Sequence, residues 1–297
     1  MQEQMETLVV AVSSRALFDL EQSNAIFQGG DTEGYIAHQK ARERETLQPG
    51  VAFPLVRKLL ALKGRGENLP RIEVILLSRN NADAGLRILN SIEAHGLDIR
   101  RAAFTTGRSP YPYARAFGAH LFLSAHEEDV KAALGAGIAA ATVLPTARPD
   151  VTDEIRVAFD GDAVLFSDAS ERVYKTAGLE AFRENETLHA EVPMEPGPFA
   201  HFLRALHQVQ QAFSSEQAPI RTALMTARGM PSHKRVINTL RAWGVRIDEI
   251  LFLDGEDKGG FLAAFQADIF FDDQRKHVES AGRFVNSAHV AAGVANE

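Results

Sequence analysis

The sequence contains no cysteine. This absence excludes disulfide frameworks, thiolate zinc sites, iron–sulfur clusters and cysteine nucleophiles, because each of them needs a thiol. Long apolar runs are also missing, since no stretch approaches the roughly 20 apolar residues that cross a bilayer. The apolar segment from Leu8 to Val12 is too short for the core of a signal peptide. We therefore expect a cytoplasmic protein with no membrane partner.

Positive charge is scarce as well. The chain has 32 Lys and Arg against 39 Asp and Glu, which gives a formal net charge of −7. A protein that binds nucleic acid needs a basic surface to neutralise phosphates, so nucleic acid is not an expected partner. The 297 residues are 45% hydrophobic, which is enough to bury a large core. The length is compatible with one large domain or two of ordinary size, and we expect two.

The chain contains an internal repeat. Residues 76–130 align without gaps on residues 224–278, and 13 of these 55 pairs are identical, where about three are expected from average composition. A neighbouring register pairs Ser13 with Asp160 and Arg15 with Asp162. We interpret this as a duplication; the alternative is two unrelated α/β halves that share common apolar patterns.

Each half alternates short apolar runs with helical patterns, which is typical of a parallel sheet covered by helices. The predicted fold class is α/β, with two Rossmann-like three-layer α/β units related by duplication, over 1–148 and 149–297. The join is expected around 145–153, where polar residues and proline interrupt the apolar pattern. In the second half, strands are predicted over 155–159, 221–225, 250–253 and 267–271, with a helix from Pro231-Ser232 to a stop at Gly244.

An insertion of about residues 167–219 separates the first two strands of the second half, and we expect it to form a cap over a site. It contains the helical apolar pattern Phe199, Phe202, Leu203 and Leu206. The two phenylalanines could stack on an aromatic ligand under a cap, but an ordinary core position is the favoured interpretation.

Polar groups follow the ends of four predicted strands in the second half. Because the carboxyl ends of parallel strands meet at one edge of a sheet, these side chains are expected to converge. Carboxylates crowded into one cleft repel each other unless a cation neutralises them, and Mg²⁺ prefers carboxylate and phosphate oxygens. The sequence therefore predicts a magnesium site for phosphate chemistry. The residues concerned are Asp160, Asp162, Thr226, Lys258, Asp272 and Asp273.

The same residues carry a resemblance to known proteins. Their order resembles the four motifs of haloacid-dehalogenase-type phosphatases. More narrowly, AVSSRALF (11–18), FDGDAVLFSD (159–168) and IFFDDQ (269–274) resemble the cytosolic 5′-nucleotidase type I family, and the similarity extends over nearly the whole chain. The resemblance implies that the second unit is the catalytic haloacid-dehalogenase-type domain with a cap insertion.

The resemblance also implies a role for each motif residue. Asp160 would attack phosphorus and form an aspartyl-phosphate, and Asp162 would protonate the leaving oxygen and then activate water. Thr226, followed by Ala227 and Arg228, would bind the phosphate together with Lys258. Asp160, the carbonyl of Asp162 and Asp272 would hold Mg²⁺, and Asp273 would contact the metal directly or orient one of its water ligands.

The first half lacks this chemistry. It has Ser13, Arg15, Ser78 and Pro110 at the positions of Asp160, Asp162, Thr226 and Lys258, and Ser124-Ala125 at those of Asp272-Asp273. We expect a non-catalytic unit. It either completes a pocket or an interface as a packing partner, which is the favoured interpretation, or binds a nucleotide through Arg15, Arg79 or Asn80.

Taken with the resemblance, the sequence predicts a homo-oligomeric 5′-nucleotidase for AMP-like nucleoside monophosphates. Two alternatives stay open. The first is a phosphatase for another small phosphomonoester such as a sugar phosphate, since the motifs specify phosphoryl transfer and the cap sets the substrate. The second is a non-catalytic nucleotide sensor or scaffold. His277 and His289 have no partner at metal-ligand spacing and are expected to be exposed to solvent.

Overall fold

The computed structural model describes residues 7–63, 65, 69–145, 153–214 and 217–297. The chain divides into two compact units, Met1–Pro149 and Asp150–Glu297. Most of the predicted join lies outside the described residues, so the domain limits of 148 and 149 stay a prediction. Within the described part of the chain, no helix has both the length and the apolar composition needed to cross a membrane.

The first unit is built on a parallel sheet with the strand order β3-β2-β1-β4-β5. Its elements are, in chain order, β1 (Leu8–Ser13), α1 (Ser14–Leu17), α2 (Glu21–Gln28), α3 (Thr32–Ala41), α4 (Phe53–Ala61), β2 (Ile72–Ser78), α5 (Ala82–Ala94), β3 (Arg101–Phe104), α6 (Tyr111–Ala116), β4 (Leu121–Ser124), α7 (Glu127–Gly135) and β5 (Ala139–Val143).

The second unit has a parallel sheet with the order β8-β7-β6-β9-β10, which is the same topology in the same sequence order. Its four predicted strands are confirmed within two residues at each end. The elements are β6 (Ile155–Phe159), α8 (Ala169–Leu188), α9 (Ala200–Gln211), β7 (Ile220–Thr226), α10 (His233–Trp243), β8 (Glu249–Phe252), α11 (Gly259–Phe265), β9 (Ile269–Asp272), α12 (Arg275–Ala281) and β10 (Ser287–His289).

Individual hydrogen bonds repeat between the two units, which supports the duplication. In the first unit, Arg87 Nε donates to the Glu45 carbonyl at 3.1 Å, and in the second Arg235 Nε donates to the Val192 carbonyl at 3.0 Å. Both arginines occupy the same place in the repeat, on α5 and α10. The neighbouring amides behave alike: Asn90 Nδ2 donates to the Glu43 carbonyl, and Asn238 Nδ2 to the Ala190 carbonyl.

Alternating residues of the second sheet bury opposite faces. Ala158 and Phe270 point to the side that is covered by α11 and α12. Phe159 and Phe271 point to the other side, where their rings contact Phe199 at 6.4 and 4.8 Å between centroids. The sheet thus lies between two helical layers, as the three-layer prediction requires.

The segment predicted as a cap divides into two parts. Helix α9 carries Phe202, Leu203 and Leu206 in the fully buried core, so it packs on the sheet rather than over its edge. This confirms the core interpretation of its phenylalanines. Helix α8 is the part that lies at the carboxyl edge, and its backbone leaves helical geometry at Gly178, with φ of 85°. Only a residue without Cβ adopts this backbone readily.

Helix α10 begins and ends where its sequence signals predict. It starts after Pro231-Ser232, and Gly244 adopts the left-handed conformation (φ of 64°) just past its last residue. The start of α10 therefore follows closely on the carboxyl end of β7, and this places Thr226 and the turn after it at the edge where the polar groups collect.

Candidate functional site

The carboxyl edge of the second sheet borders a cavity of about 450 Å³. The walls come from separate elements: the loop after β6, the turn after β7, the loop after β8, and α8. Asp160 is placed by its backbone N–H, which donates to the Phe271 carbonyl at 2.8 Å and extends the sheet by one residue. The predicted convergence is thus what parallel pairing of β6, β7 and β9 produces.

Gly161 allows two of these segments to approach closely. A Cβ at this position would lie 3.2 Å from Thr226 Oγ1, which is tighter than ordinary contact. Thr226 is itself buried, and its hydroxyl accepts a hydrogen bond from the Arg228 backbone N–H at 3.2 Å. In the Asp-Gly-Asp sequence, the glycine is thus explained by close packing against Thr226, and the two aspartates by the predicted chemistry.

Lys258 lies between two carboxylates. Its Nζ donates to Asp160 Oδ1 at 2.5 Å and to Asp272 Oδ2 at 2.6 Å, and all three side chains are buried. Burial alone would lower the pKa of the lysine, but the two carboxylates outweigh it and raise that pKa. Lys258 is therefore a fixed positive charge at neutral pH.

The two acids beside Lys258 differ in their environment. Burial raises the pKa of Asp160 to about 7, with Asp272 and Asp162 adding to the increase and Lys258 opposing it. Burial also acts on Asp272, but Lys258 and a hydrogen bond from His277 overcome it and lower the pKa of that carboxyl group. Asp272 therefore stays ionised, whereas the protonation state of Asp160 depends on the charged groups around it.

Asp273 is the residue whose charge lacks compensation. Both of its carboxylate oxygens are buried and have no hydrogen-bond partner among the described residues. Burial, together with Asp160 and Asp272, raises its pKa to about 9. Ligand atoms of Asp160, Asp272 and Asp273 all lie within 4.8 Å of one another. Hard oxygen donors without a partner in such a group fit a divalent cation, which would hold all three in the charged form.

Asp162 stands apart from this cluster and pairs with an arginine. Arg228 Nε donates to Asp162 Oδ2 at 2.8 Å, and Arg228 NH2 donates to Asp162 Oδ1 at 2.6 Å. The remaining guanidinium nitrogen, NH1, donates to Glu186 of α8, which is completely buried. Glu186 also accepts from Arg235 NH1 at 2.8 Å. The second predicted acid is thus held by a buried network that sequence reasoning did not find.

Helix α8 supplies an apolar wall to the same cavity. Tyr174, Leu179 and Phe182 line it, with Met230 from the turn after β7. The rings of Tyr174 and Phe182 meet edge to face with centroids 6.3 Å apart, and the Arg228 guanidinium lies over the Phe182 ring. Tyr174, Leu179 and Met230 are exposed, so this wall offers accessible apolar surface beside the charged edge.

The prediction that both histidines are exposed to solvent is wrong. His277 is on α12, lines the cavity, and places Nδ1 3.3 Å from Asp272 Oδ2. His289 is buried on β10, where Nε2 lies 2.9 Å from the Asp273 carbonyl oxygen. Ligand spacing in sequence did not find them, because each meets a group on another element: His277 of α12 meets Asp272 at the end of β9, and His289 of β10 meets the backbone just after β9.

The structure brings the predicted site residues to one edge of one sheet. Asp160, Asp162, Thr226, Ala227 and Arg228 line the cavity directly. Lys258 pairs with both Asp160 and Asp272, and Asp273 completes the carboxylate group. Which of these residues touch substrate or metal remains a prediction.

A parallel α/β sheet with helices on both faces, carrying clustered aspartates and a buried lysine at its carboxyl edge, defines the haloacid-dehalogenase-like class of phosphatases. Within that class the chain belongs to the 5′-nucleotidase family, whose model matches residues 1–297. This confirms the family predicted from the motifs.

A curated relative is similar over most of the chain. Human cytosolic 5′-nucleotidase 1B is 38% identical over 288 residues, which cover 93% of this chain and 47% of the human protein. The chain thus spans about half the length of that relative. No solved structure gives a significant match.

Proposed function

We propose that the second unit hydrolyses nucleoside 5′-monophosphates to a nucleoside and inorganic phosphate, with Mg²⁺ as its metal ion. The observation that carries this proposal is the contact of Lys258 Nζ with both Asp160 and Asp272. It sets a nucleophilic carboxylate beside a fixed positive charge, at the edge where an incoming phosphate would develop negative charge in the transition state. Membership of the 5′-nucleotidase family supports the same activity.

In this mechanism Asp160 attacks the phosphorus atom and forms an aspartyl-phosphate, while the bond to the ribose 5′-oxygen breaks. That oxygen takes a proton from Asp162. A water molecule then attacks the aspartyl-phosphate and gives a proton back to Asp162, which releases phosphate and restores Asp160. After the two steps, Asp160 is free of phosphate and Asp162 carries its proton again, so both carboxyl groups are back in their starting states.

The other residues hold the phosphate in place. The Thr226 hydroxyl and the backbone N–H of Ala227 stand at the end of β7, where they can donate to phosphoryl oxygens. Lys258 neutralises charge on the nucleophile and on the transferring group. The three donor nitrogens of Arg228 are already used by Asp162 and Glu186, so its side chain acts in this proposal as a positioning group for Asp162.

The metal would be held by the carboxylates of Asp160, Asp272 and Asp273 and by the backbone carbonyl of Asp162. Bound there, Mg²⁺ would neutralise charge on the phosphoryl group, as Lys258 also does. The two carboxylate oxygens of Asp273, which have no partner among the described residues, support the presence of a divalent cation at this place.

A nucleotide is favoured over a sugar phosphate because of the α8 wall. Tyr174 and Leu179 present exposed aromatic and apolar surface next to the phosphate edge, and the partly buried Phe182 lies beside them on the cavity wall. A base has aromatic faces that gain from such contact, whereas the hydroxyl groups of a sugar gain nothing from an apolar and aromatic wall. The proposal includes a homo-oligomeric state and a cytosolic location. The location is supported by the name of the human relative, a cytosolic 5′-nucleotidase.

The decisive experiment measures phosphate release from AMP with Mg²⁺. Asp160→Asn should lower the rate at least about 10³-fold, because the nucleophile is lost. Asp254→Asn, which replaces an exposed acid on the same cavity, should stay within about threefold of wild type. A comparable rate in wild type and Asp160→Asn would refute the mechanism, and no phosphate release above background from either protein would favour a nucleotide sensor or scaffold.

A panel of phosphomonoesters tests the substrate class. AMP should be hydrolysed with a kcat/KM at least tenfold above that of glucose 6-phosphate. If glucose 6-phosphate were the better substrate, the nucleotidase assignment would fail, while the aspartyl-phosphate chemistry would stand.

A further inference from the structure

The first unit has a cavity of its own at the corresponding edge of its sheet. Its volume is about 350 Å³. The lining residues come from the loop after β1, the turn after β2, the loop after β3, and α3, which correspond in the repeat to the walls of the second unit's cavity. Ser13, Arg15, Tyr35, Ser78 and Asn80 take the places of Asp160, Asp162, Phe182, Thr226 and Arg228. Duplication has thus preserved a binding-site architecture, and the residues inside it decide what it binds.

The charge at this edge is reversed between the two units. The positions of Asp160, Asp272 and Asp273 hold the neutral residues Ser13, Ser124 and Ala125, and the position of Asp162 holds Arg15. The acidic cluster of the second unit is thus replaced by neutral residues and one arginine, while Asp129, a carboxylate that also lines this cavity, is paired with Arg79. Pro110 at the position of Lys258 fits the same change, because no nucleophile remains to be neutralised there.

Two donors at this edge have no acceptor. In the second unit, Arg228 donates to the carboxylate of Asp162. In the first unit, both equivalent residues are donors: Arg15 and Asn80 line the cavity, and their Nε and Nδ2 atoms are buried and have no partner among the described residues. Buried N–H groups are costly when unpaired, so the site lacks an acceptor oxygen at the place where the second unit has a carboxylate.

The rest of the pocket specifies what kind of ligand carries that oxygen. The turn after β2 repeats the phosphate-binding turn, since the Asn80 backbone N–H donates to Ser78 Oγ at 3.2 Å. Tyr35 and Leu20 give the wall apolar surface. Arg79 is already paired with Asp129 through two hydrogen bonds of 2.9 and 2.6 Å, so it does not supply the free charge.

We propose that the cavity lined by Arg15, Asn80 and Tyr35 in the first unit is a second ligand site, which binds a small phosphate ester without a divalent cation and without hydrolysing it. Arg15 donates to the phosphate oxygens through its guanidinium group, whose Nε has no partner of its own among the described residues. Its outward nitrogen, NH2, stays on Glu21 at 2.8 Å, which holds the guanidinium in place. The proposal depends on residues of the first unit alone and not on the reaction of the second.

The test is calorimetric titration of the full chain with AMP in EDTA, where metal-dependent hydrolysis is absent. Wild type should bind AMP. Arg15→Gln should raise Kd at least tenfold, because a charge-assisted hydrogen bond is lost. Arg115→Gln makes the same change on an exposed residue of α6 outside the cavity, and it should leave Kd within twofold.

A second variant guards against a folding defect. Asn80→Asp keeps the shape and the acceptor for the Tyr35 hydroxyl, but it turns the unpaired donor into an anion, so AMP binding should again weaken at least tenfold. Thermal midpoints close to wild type for both variants would exclude unfolding. Absence of binding in EDTA, or binding unchanged in both Arg15→Gln and Asn80→Asp, would overturn the proposal. Phosphate release with Mg²⁺ reports separately on the second unit, so a failure of this proposal can be distinguished from a failure of the proposed hydrolysis.

Discussion

Arg228 and Asp162 form a bidentate ion pair at the edge of the cavity in the second unit, with N–O distances of 2.8 and 2.6 Å. The arginine side chain is almost completely buried, and Glu186 holds it from the other side. A planar guanidinium that is fixed at both ends fixes the plane of the carboxylate it contacts. The proposed proton-transfer group, Asp162, is therefore positioned by Arg228, which lies 66 positions from it in sequence and 42 positions from Glu186.

Replacing this arginine by lysine should slow catalysis more than it weakens binding. Arg228→Lys keeps the charge, but it cannot form the two parallel hydrogen bonds, so we expect kcat to fall about 10- to 100-fold with KM changed less than threefold. Arg235→Lys is the matched control, because Arg235 contacts Glu186 and not Asp162. Steady-state kinetics with AMP measure both, and an equal effect of the two substitutions would contradict a positioning role.

The buried acid that joins the two arginines should be required for stability. Glu186→Gln leaves Arg228 and Arg235 sharing a neutral partner, and breaking a buried ion pair in this way costs about 3 kcal/mol. The first unit has Gln39 at this place, which accepts from Arg87 NH1, and it has Asn80 instead of Arg228. The double variant Glu186→Gln/Arg228→Asn copies that arrangement and should recover much of the loss in urea unfolding. Simple additivity of the two substitutions would contradict the coupling.

Metal binding should depend on Asp273. Wild type should gain thermal stability when Mg²⁺ is added after EDTA treatment, because a ligand that binds only the native state stabilises it. Asp273→Asn removes a buried carboxylate without a partner, so its midpoint in EDTA should equal or exceed that of wild type, while the gain with Mg²⁺ should be lost. Asp254→Asn, outside the carboxylate group, should keep the full gain. Equal gains in wild type and Asp273→Asn would place the metal elsewhere.

The aromatic wall should act on the nucleoside and not on the phosphate. Tyr174→Ala removes an exposed ring from the cavity, and we expect KM for AMP to rise about tenfold, as for the loss of a base-stacking contact. The kcat/KM for glycerol 3-phosphate, which has no base, should stay within twofold. Leu188→Ala on the same helix changes a residue that is 80% exposed and outside the cavity, and it should alter neither substrate. Parallel losses for both substrates would contradict base recognition.

His207 should make the protein less stable in mild acid. Burial, and then Arg246, lowers its pKa from 6.5, and its Nδ1 accepts from the Arg246 backbone N–H at 3.2 Å. A histidine with a lowered folded-state pKa is neutral in both states above pH 6.5, so it has no effect there. As the pH falls below 6.5, the unfolded state takes up the proton first and stability is lost. His207→Gln, which keeps an acceptor, should lose less stability than wild type between pH 7 and pH 5 in urea unfolding.

Much of the architecture followed from local patterns in the sequence. Strands β6 to β9 were predicted because short apolar runs, here of four or five residues, bounded by polar turns are typical of buried parallel strands. The start and stop of α10 followed from Pro231 and Gly244, whose backbone preferences act locally. The convergence of Asp160 and Asp272 followed from sheet geometry alone. These features depend on residues near in sequence or on a general property of parallel sheets.

Other features needed the folded chain. The apolar pattern of α9 showed that one face is buried, but it did not show whether the burial was against the sheet or over a cavity, because periodicity specifies a face and not its partner. His277 and His289 were misjudged for the same reason, since each meets a partner on a different element.

The sequence by itself determined the duplicated α/β framework and the places where charged groups collect, because strand periodicity, turn residues and repeat register are local and additive. Only the tertiary structure decided which charges pair. The match of Asp162 with Arg228 in one unit, and the unpaired donors of Arg15 and Asn80 at the equivalent place in the other, arise from side chains brought together over long sequence distances. Coulomb and hydrogen-bond energies depend on separations of a few ångströms, which no one-dimensional pattern encodes.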